Sequence, residues 1–205
     1  MRRRIMLHCV EQDSLERRRS VYGLGSSISV SDSCFLDTIS SCLKHCPTAF
    51  NVQSARLAVL FGKQHHRFWD LVWHNMKKIL TDDKIASSLA RIESFKRAYA
   101  TILFFEDTRS LAKLKKQFPL YKKNMPTWMQ QGNGILQYMI WQTLAENEIG
   151  ASLQHYNELI ENDMPRAFGI PKHWKMVAQM PCGSIEKEPA PKTFLPIEDR
   201  LLVFK

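Results

Sequence analysis

The sequence predicts an α+β protein, with several helices around a mixed central sheet of about five strands. Two observations carry this prediction. Apolar runs of strand length stand at residues 55–62 ("ARLAVLFG"), 100–107 ("ATILFFED") and 175–183 ("KMVAQMPCG"), and they are rich in β-branched and aromatic residues. Between them lie longer stretches whose apolar residues recur every three or four positions, such as Phe68, Val72, Met76 and Leu80. Strands and helices do not alternate as regular βαβ units, which argues for α+β over a doubly wound sheet.

Taken in order, residues 11–19 read as a short polar helix and residues 23–33 ("GLGSSISVSDS") as a loop. Asp32 is a suitable N-cap for a helix through "CFLDTISSCLKH", because a carboxylate accepts from first-turn N–H groups. Pro47 ends that helix. The polar loop "PTAFNVQS" leads into the first strand, followed by helices over 63–80 and 85–99 and by the second strand. Residues 108–118 ("TRSLAKLKKQF") form a basic amphipathic helix with a solvated face. The longest helix runs from Pro126 to Gly150, a Pro start and a Gly stop. Gly132 and Gly134 lie inside it, each costing roughly 1 kcal/mol against Ala. That cost points to close approach of another backbone or a ligand, or else to a helix that begins later. Residues 151–156 read as a short strand or extended turn, and 157–169 as one helix with a Gly stop. The proline-stiffened tail ends in an apolar strand, Arg200 to Phe204, of the kind that reaches across to a neighbour.

The chain has 205 residues, 44 % of them hydrophobic, and a formal charge of +9. This suits one domain with a substantial core. The cations are dispersed over Arg2 to Arg4, Arg17 to Arg19, Lys77 and Lys78, Lys113 to Lys116, and Lys122 and Lys123. Dispersed charge on predicted helices is a weak warrant for nucleic-acid binding, and none is expected. Five cysteines without CxxC spacing argue against a disulfide framework and for a reducing compartment. The opening "MRRRIMLHCVEQD" has too short an apolar part for a signal peptide, and no run is long enough to cross a bilayer. The expected location is cytoplasmic, with no membrane partner.

Catalytic and metal motifs are sparse. His45–Cys46 and His65–His66 are adjacent pairs, and adjacent ligands rarely face one ion, so no metal site is expected. There is no phosphate loop, dinucleotide fingerprint or nucleophile elbow. Arg17, Arg18, Arg19 and Ser20 at a helix C-terminus fit either the helix dipole or a phosphate group. Trp69, Trp73 and Trp141 suit core or interface, and Trp128 lies where it can cover a pocket.

The segments "RRS", "PTAFNVQSARLAVLFG", "GNGILQYMIWQTLAENEIGASLQHYNELI", "HWKMVAQMPCG" and "EPAPKTFLPIEDRLLVF", in this order, resemble the FMN-dependent nitroreductase family. The resemblance covers residues 14–204, and the later segments are similar to the short subgroup with the fatty-acid-repression-type nitroreductase-like proteins. It implies a nitroreductase-like fold over residues 1–205, with an N-terminal extension (1–13) and a C-terminal arm (184–205) exchanged in a homodimer. It implies FMN at the dimer interface and NAD(P)H as the reductant of nitroaromatic or quinone acceptors in a ping-pong cycle. A flavin-binding regulatory or stress-response protein with little turnover is the alternative.

By the same resemblance, Arg18, Arg19 and Ser20 match the segment that binds the FMN phosphate and ribityl chain. Asn51 and Gln53 match the loop whose amides meet the flavin. Gln154, His155 and Tyr156 fall where the family lays backbone along the ring edge near N5, and Lys192 matches a tail cation that approaches the phosphate. Two departures stand out. Val21-Tyr22-Gly23 follow "RRS" where a second basic residue is usual, and Lys192 is followed by Thr193-Phe194 where the tail often has a basic pair. Carboxamides carry both donors and acceptors, as a flavin's pyrimidine edge requires. Arg56 has two open roles, toward the flavin or toward a carboxylate. No side chain is assigned a catalytic role; a backbone role for His155 is favoured over a side-chain one.

Overall fold

The computed structural model describes residues 12–204; most of the expected N-terminal extension lies outside the described residues. In chain order the elements are α1 (Gln12–Arg17), β1 (Gly23–Leu24), α2 (Asp32–His45), β2 (Ala55–Phe61), α3 (Gly62–Met76), α4 (Asp82–Lys96), β3 (Ala100–Asp107), α5 (Thr108–Gln117), α6 (Met125–Glu146), β4 (Gly150–Ala151), α7 (Asn157–Ile160), α8 (Met164–Phe168), β5 (Trp174–Gly183) and β6 (Ile185–Lys187).

The main sheet has the order β2-β3-β5-β4, and every pair in it is antiparallel. All eight residues of β3 are buried, as a strand covered on both faces must be. Successive side chains alternate across the sheet. Ala100, Ile102 and Phe104 therefore enter one core with Phe35 and Ile39 of α2 and Leu136, Ile140 and Leu144 of α6. Leu103 and Phe105 enter the opposite core with Phe68, Trp69 and Val72 of α3, Ile92 and Phe95 of α4, and Ile160 of α7. The result is three layers, helix on sheet on helix. Among the described residues the parallel component is a single bridge from Ser20 to Ala151.

A two-stranded ribbon of β1 and β6 lies beside it, so the loop expected over residues 23–33 begins with a short strand. Glycine permits the close crossing there: a Cβ on Gly183 would lie 2.0 Å from the Gly25 carbonyl oxygen.

Other expectations are corrected. Ser31, not Asp32, caps α2, its hydroxyl accepting from the Cys34 N–H; Asp32 instead accepts from the Tyr99 hydroxyl. Residues 157–169 form two short helices, because Pro165 has no N–H to give Glu161 and the Glu161 carboxylate turns to Lys175 and the Met176 N–H. Arg200 to Phe204 form no strand; a strand needs a sheet edge to pair with, and this segment meets none among the described residues. No described helix is long and apolar enough to cross a membrane.

Candidate functional site

The residues singled out in the sequence fall into two groups. The first begins at the end of α1. The Arg18 guanidinium stacks over the Trp141 ring at 4.4 Å, and Arg19 Nη2 donates to the Ala190 carbonyl at 2.6 Å. Ser20 bridges to Ala151. Lys192 returns from the tail, its ammonium 5.2 Å from the Phe194 ring. Arg18, Arg19, Ser20 and Lys192 line one cavity of about 550 Å³ with Lys187 and Glu188. Four cations face one carboxylate there, an excess that favours an anion such as a phosphate.

Beyond Ala151 the chain runs into Gln154, His155 and Tyr156. Gln154 is buried; its backbone exchanges two hydrogen bonds with Gln179, at 2.7 and 2.9 Å, and its side chain donates to Ser152. The Tyr156 ring packs on Trp69 and Phe95, and burial raises its phenol pKa against the opposing charge of Arg91. The Tyr156 N–H donates to Gln179 Oε1 at 2.8 Å, and Gln179 Nε2 in turn donates to Asn157 Oδ1. Gln179, fully buried, thus clamps both sides of His155. Among the described residues the His155 N–H has no acceptor, and the residue is exposed.

The second group is the loop before β2. Phe50, Asn51 and Gln53 adopt φ of 54°, 50° and 46°, a region that Asn enters readily but that Phe and Gln hold only when the surroundings impose it, at of order 1–3 kcal/mol each. Three contacts impose it here. Thr48 Oγ1 accepts from the Gln53 N–H at 3.1 Å. Arg56 Nη1 donates to the Gln53 carbonyl at 2.7 Å while its Nη2 reaches Asp107 at 2.9 Å. The Phe50 ring stacks on Phe118 at 4.5 Å and leans on Tyr121 and Trp128. The side chains of Asn51 and Gln53 stand exposed, and that of Asn51 has no hydrogen-bond partner among the described residues. Arg56 is committed to the carboxylate, which decides between its two roles. Asp107 is held below the usual carboxylate range: burial opposes this, and the Arg109 N–H, Ser110 and Arg56 outweigh it.

Beneath the loop lies a polar chain that the sequence reading missed. Gln137 donates to Asn133, and Asn133 to Glu106 Oε1 at 2.8 Å. Among the described residues Glu106 Oε2 is buried with no hydrogen-bond partner, and burial pushes this carboxyl up although Ser54 and Asn133 counter it. A lone polar residue in a buried run, Gln179 in "KMVAQMPCG" or Asn133 within α6, is the signal that was available. His65 is likewise accounted for: its ring bridges Thr101 and the Lys96 carbonyl, and burial lowers its pKa to about 4.

The cationic cavity and the loop do not meet within one chain. Ala55, just after the loop, pairs with Glu106, whereas Ala151, beside Ser20, reaches Ala100 through Cys182. Along β3 that separates them by roughly 20 Å. Helix α6 is a second ruler: Gly132 lies against Pro47 and Thr48, and Glu146 pairs with Arg17, a rise of about 21 Å.

A family model described as the Nitroreductase family matches residues 15–184. The chain belongs to the nitroreductase family. Its relatives agree. Nitroreductase FRM2 of Saccharomyces cerevisiae is 31 % identical over 186 residues, covering 89 % of this chain and 92 % of that protein. The structure of nitroreductase CinD from Lactococcus lactis in complex with chloramphenicol superposes with a TM-score of 0.85 at 39 % identity, covering 94 % of this chain and 98 % of that one. A nitroreductase structure from Saccharomyces cerevisiae gives a TM-score of 0.74 at 30 % identity, covering 84 % and 93 %. A structure in complex with FMN from Desulfovibrio desulfuricans shares the fold at 16 % identity and a TM-score of 0.68, covering 94 % and 95 %. As a nitroreductase family member with this fold, the protein is an oxidoreductase.

Proposed function

We propose that the protein is a homodimeric, FMN-dependent oxidoreductase that uses NAD(P)H to reduce nitroaromatic or quinone acceptors by a ping-pong mechanism. One observation carries this reading: the cationic cavity and the carboxamide loop lie about 20 Å apart within a chain, so one cofactor can use both only where a second copy brings its loop to the first copy's cavity.

The residues of each group fit FMN. Arg18, Arg19 and Lys192 would hold the phosphate, with Ser20 beside it. The His155 N–H, held outward by Gln179, would donate to the ring edge. Asn51 and Gln53 from the other copy would complement the pyrimidine edge. The loop's imposed backbone keeps those amides in place before a ligand arrives, reducing the entropy lost on binding. Bound there, FMN supplies the hydride-transfer chemistry, with the nicotinamide oxidised in one half-reaction and the acceptor reduced in the other. The protein's share is binding and orientation; His155 contributes its backbone rather than its ring.

Three further features support pairing of two copies. The arm, residues 184–205, carries Phe194, Leu195, Leu202 and Phe204 at 71–90 % exposure, a cost in water that a partner would relieve. Strand β2 is a sheet edge, available to an arm strand from another copy as the fifth strand. Helix α6 exposes Ile135 and Tyr138 beside Gly134, where a Cβ would meet no described atom within 4 Å; the glycine leaves room for a second backbone. CinD has been crystallised with chloramphenicol and with 4-nitrophenol, which supports nitroaromatic acceptors for this chain. We take residues 1–205 as one nitroreductase-like domain acting in the cytoplasm.

The test is the visible spectrum of the purified protein, with and without added FMN, before and after NADH or NADPH in air-free buffer. Flavin absorbance that bleaches with reductant and returns with a nitroaromatic or quinone supports the proposal. Absorbance that does not bleach favours a flavin-binding protein without turnover, and a protein that fails to retain FMN refutes the reading.

A further inference from the structure

The loop that presents Asn51 and Gln53 is footed at both ends on one buried polar group. At its start Gly132 of α6 lies against Pro47 and Thr48, and the Thr48 hydroxyl holds the Gln53 N–H. At its end Ser54 is buried, and Ala55 pairs with Glu106 across β2 and β3. Asn133, next to Gly132, joins the two: its amide donates to the Phe105 carbonyl at 3.1 Å and to Glu106 Oε1 at 2.8 Å. Glu106 is 6 % exposed, and its Oε2 has no hydrogen-bond partner among the described residues. Neutral, such a carboxyl can stay buried; ionised, it lacks the donors and the counter-charge that a buried carboxylate requires.

The charged and titratable neighbours do not relieve it. Residues 125–145 of α6 include no Asp, Glu, Lys, Arg or His. From α2 comes Cys46, whose thiol donates to the Gly132 carbonyl and is held neutral by burial, with Cys42 and Glu106 adding to the effect. Lys175, opposite Glu106 on β5, is taken by Glu161 at 2.6 Å. Arg56 is taken by Asp107, and these two act on Glu106 in opposite senses. Burial dominates and holds the carboxyl above its usual range.

We propose that Glu106 is a positioning residue for the flavin: neutral, it keeps the loop seated for FMN, and ionised, it gains water only by lifting the loop off Asn133, so that a seated loop and a carboxylate exclude each other. The inference rests on the proposed function, since the loop's amides are assigned there to the flavin. The seated loop, in which the carboxyl is raised, is favoured in full below the ordinary Glu value of about 4.3 and loses that advantage as pH rises through the raised value. FMN bound by the seated loop therefore draws a proton onto Glu106, and its affinity falls with rising pH by up to about tenfold per pH unit for one coupled proton.

Calorimetric titration of FMN into FMN-free wild type and Glu106→Gln, at pH steps from about 5 to about 9 and in buffers of different ionisation enthalpy, reads affinity and proton exchange together. The phosphate of FMN also titrates in this range, and subtracting the variant removes its part. Amide hydrogen exchange of residues 48–54, measured without FMN against the amides of β3, reads the loop directly. We expect wild type to take up as much as about one proton more per FMN than the variant, and the wild-type-to-variant ratio of Kd to rise with pH by up to about tenfold per unit. Exchange of the loop relative to β3 should quicken with pH in wild type and not in the variant; the wild-type exchange series stands alone if the variant does not fold. A Kd ratio and a relative loop exchange that are flat with pH, or a pH dependence shared equally by the variant, overturn the role of Glu106 and leave the oxidoreductase reading standing. FMN retained by neither protein at any pH overturns the flavin reading and this inference with it.

Discussion

Arg56 and Asp107 join the candidate loop to the end of the central strand: Nη2 lies 2.9 Å from Oδ2, while Nη1 of the same guanidinium holds the Gln53 carbonyl at 2.7 Å. A single side chain thus ties the strained backbone of the loop to β3. Removing it should free Gln53 and leave a buried carboxylate with fewer partners.

For Arg56→Ala we expect a loss of about 1–3 kcal/mol in unfolding free energy and a weaker hold on FMN, read by chemical denaturation and by flavin titration. Arg56→Lys should restore little, since one ammonium cannot reach both the carbonyl and the carboxylate in the fork geometry of a guanidinium. Because Asp107 has a depressed pKa when folded, its contribution is present above the ordinary Asp value of about 3.9 and is lost as pH falls through the folded value. The wild-type advantage over Asp107→Asn should shrink in acid.

Glu106 should behave in the opposite sense. Its folded pKa is raised by burial, so its contribution to stability is present below the ordinary Glu value of about 4.3 and is lost as pH rises through the folded value. Glu106→Gln keeps an acceptor for Asn133 and removes the charge. The variant's stability relative to wild type should therefore grow with pH from about 4 upward, measured as the difference in unfolding free energy across a pH series; a difference that is flat or falls with pH contradicts the assignment.

Gln179→Leu should retain the volume of the site and lose its clamp on Tyr156 and Asn157. Each orphaned buried group costs roughly 1–3 kcal/mol. The distinguishing readout is FMN: with the His155 N–H no longer held outward, affinity should fall more than for a Gln137→Leu variant, whose hydrogen bond lies on α6 within the polar chain under the loop. Equal losses would reduce Gln179 to a stability role.

How much of this was legible in the sequence follows from the range of each interaction. Strands β2, β3 and β5 were visible because their apolar runs are local, and α6 because Pro126 and the apolar period mark it. The break before Met164 hinged on one missing N–H at Pro165, and the cap on α2 on whether Ser31 or Asp32 turned inward; local pattern does not separate such cases. The cluster of Arg18, Arg19 and Lys192 came from the resemblance, and the structure brings these residues to one cavity. The Phe50–Phe118–Trp128 wall and the Gln179 clamp were illegible because their partners are distant in the chain. The departure at Val21 and Tyr22 also has a structural counterpart: Val21 is buried, and the Arg91 guanidinium lies 5.9 Å from the Tyr22 ring, so a cation from α4 stands near where the sequence lacks one.

The most direct test of the central claim, one flavin shared by two chains, is complementation between two defective variants. Arg18→Ala/Arg19→Ala disables the cationic cavity, and Asn51→Ala/Gln53→Ala disables the amide loop. In a two-fold dimer mixing one chain of each kind, one site carries both defects and the other carries neither. After unfolding and refolding the two together, FMN binding should return to about a quarter of the wild-type sites, since statistical mixing makes half the dimers hybrid with one intact site each. No recovery, from hybrid dimers shown to have formed, would mean that both groups serve a site within a single chain, and the account would fail.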